Sequence, residues 1–241
     1  MVKEVFDRSA ALSGLLLLAP LLLVLGFAVW CHDHHSPFYL GRRVGRHGSQ
    51  FRILKIRSMV ADADRLGSSY TTADDSRIIP IGRFIRRWKI DEISQLLNVL
   101  RGDMSLVGPR PQVFEEVTTF TPQEQELLAL KPGITDFASI VFADEGEILR
   151  GAPDPGLAYR QLIRPWKSRL GLFYVAHHSF SVDLQLILLT LVRILAPDRA
   201  LDGVGRLLQR LRATAERVRV ARRRTPMAPH AVPGMSEPFG S

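Results

Sequence analysis

Two adjacent carboxylates, Asp91 and Glu92, and an arginine held between prolines, Arg110, are the residues of this sequence best suited to covalent or metal-assisted chemistry. An ionised aspartate is a nucleophile or a hard oxygen ligand for a metal. Apolar side chains at Ile90, Ile93, Leu96, Leu97 and Leu100 recur at helical spacing, and Gly102 supplies a stop, so the spacing predicts about three turns of amphipathic helix. The carboxylates then stand in its first turn, where unpaired N–H groups and the helix dipole keep them ionised near neutral pH. Asp91, Gln95 and Asn98, four and then three residues apart, stack on the side opposite the leucines, the side that could face a ligand. A first-turn acidic pair also has a plain use in stabilising the helix, so the choice depends on the flanking sequence.

Beyond the helix, Val107-Gly108-Pro109-Arg110-Pro111 predicts a rigid turn in which Gly108 permits close backbone approach and the prolines fix Arg110. A pre-organised guanidinium suits phosphate oxygens, which it can bind bidentately. A surface turn with a solvated arginine is the plain alternative. Asp91-Glu92, Gln95-Leu96, Asn98-Val99-Leu100, the string Gly102-Asp103-Met104-Ser105-Leu106-Val107-Gly108-Pro109-Arg110-Pro111 and Lys131-Pro132-Gly133-Ile134-Thr135 resemble the bacterial sugar transferases, the monotopic polyprenyl-phosphate phosphoglycosyltransferases. The resemblance runs from the N-terminus to about Pro197. It implies that the aspartate-glutamate dyad, with Mg2+, attacks a UDP-sugar and passes the sugar 1-phosphate to undecaprenyl phosphate with release of UMP. Asp91 is then the attacking residue, Glu92 the metal ligand, and Arg110 a phosphate binder.

The elements that must position these groups follow from the rest of the chain. Its 241 residues, 46% of them hydrophobic, suffice for one sizeable domain with appendages, and the net charge of +8 calls for anionic partners. The single cysteine, Cys31, excludes an intrachain disulfide. Between Arg8 and His32 lies an uncharged run of about 23 residues, long enough for a membrane segment and long for a signal peptide. Pro20 at its middle predicts a kink. Both flanks are basic, with Lys3 and Arg8 before the run and Arg42, Arg43 and Arg46 after it, which favours a re-entrant helix-break-helix with both ends in the cytoplasm. The resemblance implies the same geometry, although Ala19 stands where related sequences often carry Ser.

Cys31-His32-Asp33-His34-His35 is not read as a metal site, because adjacent ligands do not converge on one ion. Ser36 to Met59 reads as a turn into strands, with Lys55 and Arg57 on one face. Asp62 to Ser76 predicts a helix end and a mobile polar loop. Arg86 and Arg87 lead into the dyad and, with Lys55 and Arg57, suit a diphosphate or lipid headgroups. Thr121-Pro122-Gln123-Glu124 is a capping box opening a short helix, which makes Glu124 structural. Past Lys131-Pro132-Gly133, the stretch Asp136-Phe137-Ala138-Ser139-Ile140 departs from the common family pattern, and Asp144, Glu145 and Glu147 are expected to face solvent. Leu184 to Leu195 predicts a helix buried on most sides or lying in the membrane interface. Leu201 to Val218 carry an apolar stripe among arginines, which predicts a basic interfacial helix, with disorder after Thr225.

The expectation is thus an α+β protein, mostly helical and membrane-associated, with a small strand element. Residues 1–35 form the re-entrant helix, 36–197 a catalytic domain on the cytoplasmic face of the inner membrane, and 198–241 a basic helix and disordered tail. The expected partners are a UDP-sugar, undecaprenyl phosphate and membrane lipids, with no nucleic acid; a homodimer is left open. The competing reading is a non-enzymatic, membrane-anchored basic protein that binds nucleic acid or anionic lipid. Its support is charge alone, without helix-turn-helix, zinc or RNA-binding aromatic patterns.

Overall fold

The computed structural model describes residues 2–66 and 70–240. It is α+β and mostly helical. Helix α1, Val2–Asp33, is one uninterrupted element with Pro20 inside it. The helix runs through Pro20 without a gap, because proline deletes a single hydrogen bond and the turns on either side carry it through. Thirty-two residues make a helix about 48 Å long.

Both ends of α1 rest on one body. Near its start, Lys3 Nζ lies 2.5 Å from Asp183, Ser105 Oγ donates to Asp7 at 2.6 Å, and Lys131 pairs with Glu4. At its far end Asp33 receives two hydrogen bonds of 2.6 Å from Arg57. Between these anchors Ala11, Leu25 and Val29 are buried, but only 17% of the most apolar stretch is covered. A helix this apolar and this bare is not a core helix, and by length and composition it could cross a membrane.

Strands β1, Phe38–Val44, and β2, Gln50–Ile56, form the expected hairpin, with Phe38 opposite Ile56 and Val44 opposite Gln50. The expected polar loop from Asp62 falls partly outside the described residues, at 67–69. Helix α2, Pro80–Arg87, starts on its proline and packs Gly82 against Ser58 so closely that a Cβ would lie 2.0 Å from the Ser58 carbonyl oxygen. The segment read as three α-helical turns is a 3-10 helix, Ile90–Gln95, continued by α3, Leu96–Arg101. Gly102 ends it in the left-handed region at φ 88°, as its position predicts.

Strand β3, Ser105–Val107, pairs in parallel with β4, Gly133–Thr135. Between them lie α4, Phe114–Val117, and a 3-10 turn, Glu124–Ala129. The capping box is present: Thr121 N–H donates to Glu124, and Glu124 N–H donates to Thr121 Oγ1, each at 3.1 Å. Short helices α5, Phe137–Val141, α6, Glu145–Ile148, and α7, Pro155–Ala158, lead through a π turn, Tyr159–Ile163, into α8, Arg164–His177. Helix α9, Phe180–Leu195, is capped by Ser179 and keeps an exposed apolar stripe at Leu184, Leu188, Leu191 and Leu195. The chain continues into α10, Pro197–Arg210, and α11, Ala215–Arg222.

The apolar stripe of α10 and α11 does not face a membrane. Leu201, Val204, Leu208 and Val218 are buried in the same cluster as Phe137, Tyr174 and Leu186. The periodicity was real, but the surface that covers it is this protein's own core. Nor do the residues after Thr225 hang free: Val232 is buried, His230 N–H donates to the Gln161 carbonyl, and Thr121 Oγ1 donates to that of Pro233.

Candidate active site

The dyad is placed by its neighbours on β2. Ser94 Oγ lies 3.1 Å from the Leu54 carbonyl oxygen, while Asn98 accepts from Leu54 N–H at 2.9 Å and donates to the Arg52 carbonyl at 2.7 Å. These contacts fix the register between the helix and the strand that carries Lys55. Asn98 therefore does not face a ligand, as its place in the polar row suggested; it acts as a clasp on a strand backbone. Lys89, just before the dyad, is held in the left-handed region at φ 55°, which is uncommon for a residue with a side chain.

Lys55 Nζ lies 3.2 Å from Glu92 Oε1 and 3.7 Å from Asp91 Oδ2, so one ammonium spans both carboxylates. Arg110 Nη2 donates to the same Glu92 oxygen at 2.6 Å. Burial pushes the Glu92 carboxyl up, but the charges of Arg110, Lys55 and Lys89 outweigh it and hold it well below the usual carboxylate range. The Glu92 charge in turn raises Arg110 above its ordinary value. Asp91 differs from its neighbour: its Oδ1 is buried with no hydrogen-bond partner, and so is Gln95 Nε2. Buried polar atoms are rarely left so, and an exception beside a cleft points to a role.

Arg110 is presented by a back-to-back glycine contact. A Cβ on Gly108 would lie 2.3 Å from the Lys131 carbonyl oxygen, and one on Gly133 would lie 2.0 Å from Gly108 N. These two strings of the sequence are thus one object, the Gly108-Pro109-Arg110-Pro111 turn seated on Lys131-Pro132-Gly133. Gly133 N–H donates to the Pro109 carbonyl and Gly108 N–H to that of Thr135, each at 3.0 Å. Arg110 spends only Nη2 on Glu92 and leaves its remaining donors toward the cleft, with 30% of its side chain exposed.

Asp91, Glu92, Lys55 and Arg110 open on a cleft of about 1380 Å³, large enough for a nucleotide-sized ligand. Arg86 and Arg87 line the same cleft, Arg86 reaching Ser58 Oγ at 3.5 Å. Arg57 is mostly occupied. Nη1 and Nη2 grip Asp33, Nε donates to the Ser36 carbonyl and Nη1 also to that of Met59, so four of the five N–H groups of this guanidinium are spent on fastening the end of α1, with one Nη2 N–H left over. The acids read as solvent-facing are also paired: Asp144, its side chain still 38% exposed, with Arg193 and Arg223, and Glu145 with Lys167 in the cleft wall. Glu147 is exposed and paired with Arg150.

Sequence reasoning missed the opposite wall. Tyr70 and Tyr159 pack with ring centroids 4.6 Å apart, Tyr159 Oη donates to Glu116 at 3.1 Å, and Lys167 lies over the Tyr159 ring. All line the cleft, together with Ser139, whose buried Oγ has no partner. No local pattern announces this wall, because its members come from four separate segments.

The arrangement is that of a carboxylate with one unpartnered oxygen, a second carboxylate neutralised by two cations, and guanidinium donors beside an open cleft. It is suited to attack on phosphorus. The profile of the family described as Bacterial sugar transferase matches residues 1–197. The sugar transferase EpsL of Bacillus subtilis, itself uncharacterised, is 33% identical over 82% of this chain and 89% of its own length. The UDP-glucose:undecaprenyl-phosphate glucose-1-phosphate transferase of Caulobacter vibrioides is 34% identical over 82% of this chain and 71% of its own. The undecaprenyl-phosphate galactose phosphotransferase of Salmonella typhimurium is 36% identical over 56% of this chain. The chain spans less than two thirds of several curated relatives it matches, including 31% of the Salmonella protein.

Proposed function

The chain belongs to the bacterial sugar transferase family, and we propose that it moves a sugar 1-phosphate from a UDP-sugar to undecaprenyl phosphate, an early membrane step of capsule, exopolysaccharide or O-antigen synthesis. The observation that carries the chemistry is the unpartnered Oδ1 of Asp91 next to a Glu92 whose charge is already balanced.

A carboxylate oxygen of Asp91 attacks the phosphorus that bears the sugar, the bond to the UMP oxygen breaks, and UMP leaves with the electron pair. An aspartyl sugar phosphate remains. An oxygen of the polyprenyl phosphate then attacks the same phosphorus, and the aspartate departs as carboxylate. Lys55 and Arg110 are placed to screen the diphosphate as it meets two acidic side chains, with Arg86 and Arg87 along its approach. Glu92 keeps Lys55 and Arg110 in place by holding both on one oxygen, Oε1.

Magnesium fits this donor set. Among the described residues no three His, Cys, Asp or Glu side chains converge, so the protein offers at most the two dyad carboxylates, and Mg2+ ordinarily takes one or two carboxylates plus substrate phosphates and water. Glu92 Oε2, with Asp91, would hold the ion, which when bound supplies charge neutralisation at the diphosphate.

Membrane attachment rests on α1 and the bare leucines of α9. Since both ends of α1 are tied to the same body, the helix cannot place them on opposite sides of a ~30 Å core. It supports a re-entrant seat in the inner membrane with the catalytic domain on the cytoplasmic face. Labelling of cysteines introduced at Lys3 and Arg46 tests this, and labelling from opposite sides would make α1 a simple span. The activity is tested with membranes carrying the protein, a panel of UDP-sugars, polyprenyl phosphate and Mg2+. UMP released with at least one donor is expected; none released from any donor would overturn the reading.

A further inference from the structure

Residues 198–241 lie beyond the family match, yet the last of those described return to the cleft. From Pro226 the segment carries four prolines, at 226, 229, 233 and 238, which stiffen it and lower the entropy lost on ordering. It is fastened along its length: Arg169 donates to the Ala231 carbonyl at 2.6 Å, Thr121 Oγ1 to that of Pro233 at 2.6 Å, and Gln161 Nε2 to that of Phe239 at 2.6 Å. His230 packs edge-on against Trp166, and Val232 is buried.

These ties deliver the Phe239 ring to the cleft lining. The Arg164 guanidinium lies over it at 5.2 Å and over Phe120 at 5.7 Å. Arg164 cannot swing away, because Glu124 and Thr119 hold its other edges. A rigid cation therefore backs the ring. The same cleft carries Tyr70, Tyr159, Glu116, Lys167 and the unpartnered Ser139 Oγ. The Glu145 of the Lys167 pair is close enough for its charge to act on Arg110, so this wall adjoins the phosphate end. Aromatic faces among hydroxyl, carboxylate and ammonium groups suit a neutral ring that bears hydrogen-bonding substituents. The diphosphate is accounted for by Lys55 and Arg110.

We infer that the C-terminal segment, residues 226–240, completes the donor cleft, and that Phe239 is a specificity residue which packs on the neutral ring part of the nucleotide sugar. This rests on the donor assigned under Proposed function. Uracil and the sugar ring share that chemistry, and the experiment separates them.

Phe239→Ala, Phe239→Tyr and a chain ending at residue 237 are compared with wild type for UMP release across the UDP-sugar panel, for binding of UDP alone, and for melting temperature. Phe239→Ala and the shortened chain should raise the donor KM about 2- to 12-fold, the range of one lost aromatic contact, with a smaller change in kcat. Phe239→Tyr should restore it. UDP binding weakened in parallel would identify uracil as the ring; unchanged UDP binding with altered preference among UDP-sugars would identify the sugar. An unchanged KM, UDP affinity and donor preference in a variant that melts like wild type would overturn the inference. If wild type releases no UMP, the assigned activity fails instead, and unchanged UDP affinity in Phe239→Ala would then overturn the role of Phe239 as well.

Discussion

Glu92 with Arg110 and Glu124 with Arg164 are the same two residue types at similar distances, 2.6 and 2.8 Å, and they do different work. Glu124 is fully buried. One of its oxygens takes Thr121 N–H and Arg164, the other Arg164 and Ser168, and Arg164 goes on to Thr119. Both carboxylate oxygens and four of the five guanidinium N–H groups are matched, so the pair is nearly complete. At the dyad both cations crowd one oxygen of Glu92, the Asp91 Oδ1 beside it is unpartnered, and Arg110 keeps donors free toward a cleft. A matched pair fixes a fold; an incomplete one leaves room for a substrate.

The largest effect should come from breaking the nearly complete pair. Glu124→Gln leaves Arg164 buried without its counter-charge, and loss of one partner of a buried pair costs about 3–5 kcal/mol. Thermal melting should show it, while turnover per folded molecule changes little. Full stability with lost turnover would put Glu124 in the chemistry.

Arg110→Gln reverses the pattern. Turnover should fall about 10²- to 10³-fold, the usual loss when a pre-organised donor to developing charge is removed. Melting should shift far less than for Glu124→Gln. UMP release by Arg110→Gln within a factor of two of wild type would remove Arg110 from the site.

Asn98→Ala tests the clasp beneath the dyad. It strands Leu54 N–H and the Arg52 carbonyl, which should cost about 1–3 kcal/mol and slow turnover through misplacement of Lys55. Wild-type melting and turnover in this variant would show that the clasp does not hold the register.

The smallest effect is a pH dependence. The folded Glu92 carboxyl sits below its ordinary value of 4.5, so its pair contributes stability that is fully present above that value and is lost as pH falls through the lower, folded value. The melting difference between wild type and Glu92→Gln should be flat from pH 8 to about 5 and shrink only in stronger acid. A difference that shrinks already between pH 7 and 6 would mean the carboxyl is raised instead.

The sequence made the dyad and its arginine legible because short-range rules govern them: helical spacing, a Gly stop at Gly102, prolines around Arg110, and a capping box at Thr121. It also showed which stretches were apolar, but not what would cover them. The stripe from Leu201 to Val218 looks the same whether it meets lipid or Phe137 and Tyr174, and only tertiary packing decides. The tie that occupies Arg57 was hidden for a related reason, since its partner Asp33 lies 24 residues away at the end of another element. Asn98 has the spacing of a ligand-facing residue, yet β2 occupies that side. The cleft wall of Tyr70, Glu116, Tyr159 and Lys167 left no trace in local pattern, because its parts meet only in the folded chain.

The central claim is that Asp91, with its unpartnered oxygen, attacks phosphorus while Glu92 holds the cations. The most direct measurement is mass spectrometry of the peptide containing residues 89–101 after incubation with a UDP-sugar and Mg2+, without the polyprenyl acceptor. Wild type should carry a sugar phosphate on Asp91, Asp91→Asn should carry none, and Glu92→Gln should form it slowly with weakened dependence on Mg2+. An adduct that maps to Glu92, or that persists in Asp91→Asn, would contradict the account.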